Sequence, residues 1–244
     1  MLSSNLGARS LERGAHEDRG QAVGVSALGY LRRTPSAGLL LVQLAGVLLY
    51  PWMETSPNGR AVFGAFGLLV LGVALRVVRR SPWLTWLAVV LTALVVALSV
   101  VHAIAPRPAL PVAIAIVESV FYFYAAGSLI AYMLQDWIAT TDELFAAGAT
   151  FTLLAWAFAY AFAACDAILP GSFSAPINPT GPRSWMELLF LSVAVLSSVG
   201  LSDIMPVKGM ARALVMLESF AGVMYMALVV SRLIGLTMLR RDRP

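Results

Sequence analysis

The chain carries little charge, one lysine, two histidines and one cysteine. Charged residues make up 12% of its 244 residues and apolar residues 59%, with a mean hydropathy of +0.82. A soluble domain of this length exposes too much surface to tolerate that balance. A single cysteine, Cys165, excludes an intramolecular disulfide, and it falls in a long apolar run as a packing residue. His16, His102 and Cys165 are scattered and form no metal-binding spacing. The chain also lacks His-Glu-x-x-His, Gly-x-Ser-x-Gly and a glycine-rich phosphate loop. It reads as a non-enzyme with no cofactor. Asn178-Pro179-Thr180 is no glycosylation acceptor, because proline fills the middle position.

What the chain has instead is long apolar blocks without a 3.6-residue stripe, the pattern of helices surrounded by lipid or by other helices. A bilayer core of about 30 Å takes about 20 apolar residues per helix. That length fits six runs, at about 37–53, 61–78, 83–104, 110–135, 145–169 and 211–238. A seventh run, about 184–198, is too short to span and reads as re-entrant. Non-helical backbone at membrane depth is tolerated where it is buried in protein or lines a watery path.

Lysine and arginine in short loops set the orientation. Arg32 and Arg33 precede the first run, Arg79 and Arg80 separate the second and third, and Arg240, Arg241 and Arg243 follow the sixth. With six spans these share one side, the cytosol, so both termini are expected to be cytoplasmic. The opposite loops carry Arg60, Arg107, Arg183 and Lys208 singly. The first 35 residues are polar, with no apolar run directly after Met1, and read as a mobile cytosolic arm rather than a signal peptide. The net charge of +4 reports topology and contact with anionic lipid, not nucleic-acid binding. Sixteen arginines against one lysine, with abundant alanine, point to a GC-rich bacterial source and hence an inner membrane.

Three parts are expected. Residues 1–35 form the arm, 36–138 a four-helix transmembrane bundle, and 139–244 a unit of helix, polar loop, short helix, turn and helix. Thr140-Thr141-Asp142-Glu143 reads as a capping box at the start of the fifth span. The loop 170–183, with four prolines and two glycines, is not helical and lies outside the membrane. Ser184 and Glu187 have the spacing of a second capping box. The helix they open runs for about twelve residues, or roughly 18 Å, half a membrane. Ser197-Ser198-Val199-Gly200-Leu201-Ser202-Asp203 and then Pro206 follow. A half-helix leading into a small, glycine-containing extended segment is how a membrane protein points a row of carbonyls at an ion.

At this point the sequence resembles the pore module of potassium channels, which runs outer helix, turret, pore helix, Thr-Thr-Val-Gly-Tyr-Gly-Asp, inner helix. Ser197 to Asp203 occupy the place of that heptapeptide, and Ala211 to Arg232 look like the inner helix of bacterial two-helix ion-channel modules. The resemblance covers roughly residues 145–238. It implies an all-α membrane protein of six transmembrane helices, with a re-entrant pore helix and filter between helices five and six. It also implies four chains around one axis, a homotetramer in contact with membrane lipids and without a soluble partner. Carried over by position, the carbonyls of Ser198, Val199, Gly200 and Leu201 and the Ser198 hydroxyl would coordinate a dehydrated monovalent cation, with Ser202 closing the filter. Ser197, Asp203 and Glu218 would support it, and Gly222 would be a gating hinge or a close-packing glycine. The permeant ion is K+, with Na+ as the alternative.

Two departures bear on selectivity. Ser202 stands where the family has its second glycine, and a left-handed non-glycine residue costs about 1–2 kcal/mol. Leu201 replaces the tyrosine whose hydroxyl ties the family's filter to its surroundings. A weakly selective sodium/potassium channel is therefore the alternative to a potassium channel, with a non-conducting scaffold or a transporter beyond it. Residues 110–135 contain no arginine, so an S4-type voltage sensor, which needs several at three-residue spacing, is excluded. Glu218, inside the last span, reads as a brace to Ser192 or Ser197. Glu118, inside the fourth, pairs with a neighbouring helix or senses a ligand or proton. Asp166 is placed at the interface.

Overall fold

The computed structural model describes residues 34–55, 59–78, 85–135, 141–179 and 181–241. The arm up to residue 33, Arg79-Arg80 and Thr140 lie outside the described residues. The elements are α1 (Pro35–Thr55), α2 (Gly59–Val78), α3 (Thr85–Ile104), α4 (Ala109–Gln135), α5 (Thr141–Ile168), β1 (Phe173–Ser174), α6 (Trp185–Leu196), β2 (Met205–Pro206) and α7 (Gly209–Arg241). Each long apolar run is a helix within a few residues of its expected bounds. Proline marks the starts: Pro35 opens α1 and Pro111 lies in the first turn of α4, where no intrahelical N–H is needed.

Among the described residues, five helices, α1, α3, α4, α5 and α7, are long and apolar enough to cross a membrane. The 20-residue α2 contains the apolar stretch Phe66–Val77. The chain is an α-helical, multi-pass membrane protein.

α5 is the centre of the packing and touches α1, α4, α6 and α7. Leu153, Trp156, Ala157, Ala159 and Phe162 on it are buried. Its many alanines let neighbouring backbones approach closely. Polar side chains tie it to the bundle: Thr152 Oγ1 donates to Gln43 Oε1 on α1 at 2.6 Å, and Ser119 Oγ on α4 donates to Ala157 O at 2.9 Å. α7 is the opposite case. Met216, Leu217, Phe220, Val223 and Met224 along it are all exposed.

The loop after α5 is more ordered than its proline content predicts. β1 pairs antiparallel with β2, Phe173 opposite Pro206 and Ser174 opposite Met205. Val207 N donates to Ser172 O at 2.8 Å, and Ser172 N donates to Asp166 Oδ1 at 3.0 Å. Asp166 is thus a cap on this loop and not merely an interfacial charge. The clasp joins segments more than thirty residues apart, which no local propensity signals.

Candidate functional site

The site is built on α6. Its start is fixed by the capping box expected from sequence: Glu187 N donates to Ser184 Oγ at 3.3 Å, and Ser184 N donates to Glu187 Oε2 at 2.6 Å. Arg183 adds to this end. Its guanidinium, 2% exposed, lies 3.4 Å from Glu187 Oε1 and donates to the carbonyls of Asn178 and Gly181. One arginine therefore gathers the preceding loop onto the helix N-terminus. Trp185, the first residue of α6, packs among Tyr50, Trp156 and Tyr160 with ring centroids 5.8, 5.0 and 5.6 Å away. These rings seat α6 against α1 and α5.

α6 ends in a hydrogen-bonded turn. Ser197 N donates to Val193 O, Ser198 N to Val195 O at 2.9 Å and Gly200 N to Ala194 O at 2.9 Å. Ser198 has φ +60° and Gly200 φ +67°. The Ser198 bond is that of a left-handed residue just past a helix end, where free carbonyls find donors. The left-handed serine here is Ser198, and Ser202, which stands where the family has its second glycine, does not take a positive φ. The reason is local. Ser198 is fixed by the end of α6, whereas Ser202 Oγ accepts from Ile204 N at 3.1 Å and Ser202 N donates to Gly200 O at 3.1 Å. In the single chain, the Gly200 carbonyl is therefore engaged by Ser202. Val199 and Leu201 are 68% and 74% exposed, and Asp203 is exposed beside them.

α7 supports this turn from behind. Glu218 and Ser192 are both fully buried, and the Glu218 carboxyl meets the Ser192 hydroxyl. Ser192 Oγ also lies 2.8 Å from Ala155 O on α5, so one serine joins α5, α6 and α7. Of the two partners expected for Glu218, the structure selects Ser192, while Ser197 Oγ turns back to Ala194 O at 3.3 Å. Gly222 lies one turn further along an unbroken α7, against Leu196.

Glu118 is buried on α4 within hydrogen-bonding reach of the Tyr160 phenol. Tyr160 stacks on Tyr122 at 5.6 Å and contacts Trp185, so the carboxyl pairs with α5 and lies on the aromatic cluster behind the start of α6.

One group of residues was missed by sequence reasoning. Asp142, assigned to a capping box, accepts from Ser36 N and Ser36 Oγ on α1, both at 3.1 Å, and from the Tyr132 hydroxyl on α4 at 3.4 Å. Its neighbour Glu143 pairs with Arg232 on α7 at 3.1 Å. The signal available was two consecutive acids at a helix start and an arginine near the end of the last apolar run. Nothing in the sequence sets their distance.

Two long helices flank a capped half-length helix that ends in a left-handed turn, an arrangement consistent with a pore module. Residues 149–238 match the family model described as "Ion channel". No curated protein and no solved structure matches the chain.

Proposed function

We propose that the chain is a six-span subunit of a homotetrameric cation channel that conducts potassium passively through a backbone-carbonyl filter at Ser198, Val199, Gly200 and Leu201. Ser202 closes the filter, and Ser197, Asp203 and Glu218 support it. α6 is the re-entrant pore helix, and its C-terminal carbonyls carry partial negative charge. Both termini are cytoplasmic, in a plasma membrane of the bacterial inner-membrane type. α4 carries no arginine, so gating does not use an S4-type sensor.

One observation carries this reading. The turn at Ser198 to Leu201 is held by the end of α6, which α7 backs at Ser192 and Leu196, while Val199 and Leu201 are bare. Met216, Leu217, Phe220, Val223 and Met224 on α7 are exposed as well. Such a surface fits further copies of the chain. The test is the reversal potential of purified protein in planar bilayers, with potassium on one side and sodium on the other. A reversal near the potassium equilibrium potential supports the reading. No current from an intact tetramer, at any voltage or pH, would count against it.

A weakly selective sodium/potassium pore is the second reading. It is favoured by the backbone at Ser202, which lacks the left-handed turn of a second glycine, and by Leu201 in place of a hydroxyl-bearing ring. Real current reversing near zero would select it.

A further inference from the structure

Gly222 is where α7 touches the end of α6. A Cβ at Gly222 would lie 2.2 Å from Leu196 O, 2.9 Å from its carbonyl carbon and 3.0 Å from its Cα. All three are backbone atoms, so no change of rotamer makes room. The hydrogen that stands in place of a side chain points at Leu196 O, a geometry that allows a weak C–H···O contact. The carbonyls just before it are engaged elsewhere: Val193 O, Ala194 O and Val195 O accept from Ser197, Gly200 and Ser198. Leu196 O comes to rest on the bare face of Gly222. One turn earlier on both helices, Ser192 meets Glu218. Residues 192 and 196 on α6 therefore face 218 and 222 on α7 in one continuous seam.

We propose that Gly222 is a seat for the end of the pore helix, and through it a selectivity-determining residue, rather than a flexible hinge in α7. The selectivity part rests on the channel reading above; the seat does not. A hinge needs backbone freedom, whereas a seat needs the absence of a side chain. Adding a methyl group requires α6 and α7 to separate by about 1 Å at this point, because close-packed interiors have no slack. Ser198 and Gly200 bond directly to the last turn of α6 and move with it. The filter geometry is thus set from the inner helix, by a contact that glycine alone allows.

The test combines amide hydrogen exchange in detergent with reversal potentials in bilayers. In Gly222→Ala, exchange at Ser197, Ser198 and Gly200 should rise at least tenfold, because the last turn of α6, pushed off its support, opens more often. Amides of α7 between 214 and 226 should exchange no faster than in the wild type, alanine being the better helix former. The reversal potential should move towards zero. The double variant Ala221→Gly/Gly222→Ala keeps a flexible point in α7, one residue earlier, and should behave like Gly222→Ala. Wild-type exchange and selectivity in that double variant would overturn the seat and favour the hinge. If Gly222→Ala does not fold, wild-type protein decides: amides 223–226 should be as protected as 214–217, and faster exchange there overturns the proposal. A silent wild-type channel counts against conduction, whereas unchanged exchange at 197–200 in Gly222→Ala counts against the seat.

Discussion

Arg232 on α7 reaches Glu143 in the first turn of α5, with guanidinium nitrogen and carboxylate oxygen 3.1 Å apart. Asp142, next to Glu143, binds Ser36 on α1 and Tyr132 on α4. Two consecutive acids thus join α1 and α4 to α7, the helix that follows the candidate filter. Residues 139–244 do not meet the bundle as an independent block. They share a polar joint with it at one end and the Trp185 cluster at the other.

The joint makes a first prediction. The Glu143 and Arg232 side chains are 7% and 16% exposed, so removing one charge takes an ionic partner from the other in a largely dry place. Glu143→Gln and Arg232→Gln should each lower stability by about 2 kcal/mol. The exchanged pair Glu143→Arg/Arg232→Glu should recover part of the loss. Thermal melting in detergent measures this, and equal losses from the singles and the exchanged pair would show that the ion pair contributes nothing. Asp142→Asn should cost less, because an amide oxygen still accepts from Ser36.

Ser198 makes a second. Its φ of +60° is uncommon for a residue with a Cβ. Ser198→Gly should stabilise the folded chain by about 1 kcal/mol by relieving that conformation. Ser198→Val, β-branched, should destabilise it by a similar amount. The hydroxyl is lost in both. If it helps coordinate the ion, both variants lose conductance while their melting points move in opposite directions. Melting points moving the same way would contradict the left-handed turn.

Arg183 gives the third. Its guanidinium serves two carbonyls and a carboxylate at once. Lysine carries the same charge but lacks the planar fork that reaches all three. Arg183→Lys should therefore destabilise by about 1–2 kcal/mol, nearly as much as Arg183→Ala, read by melting in detergent. A lysine variant as stable as the wild type would mean that charge alone holds the loop.

How much of this was legible follows from sequence distance. The Ser184–Glu187 capping box spans three residues and was read correctly. So were the helices, because apolar length is a local property. Glu218 was narrowed to two candidates, since a buried carboxylate needs a partner and few polar groups lie on α6. The pairing of Phe173 with Pro206, the reach of Ser36 to Asp142 and the contact of Gly222 with Leu196 were not legible. Each depends on how helices pack, and no spacing encodes it. The left-handed serine was not legible for a different reason. The resemblance draws attention to Ser202, where the family has glycine, but the positive φ falls on Ser198, at the end of α6.

The junction at Ser192 yields the last prediction, because the two residues it involves fail in different ways. Ser192→Ala removes the donor to Ala155 O and the partner of Glu218 together, leaving a buried carboxyl unmatched. It should lower stability by about 2 kcal/mol. Glu218→Gln keeps a side chain that can both donate and accept, so it should stay close to wild type in stability and in potassium over sodium selectivity. Glu218→Leu has the bulk without hydrogen bonding. It should lose stability, but less on a Ser192→Ala background than alone, because the serine no longer needs a partner there. That non-additivity, about 1 kcal/mol in a double-mutant cycle, separates a specific brace from two residues that merely fill space. Additive losses would mean that Glu218 and Ser192 are neighbours without being coupled.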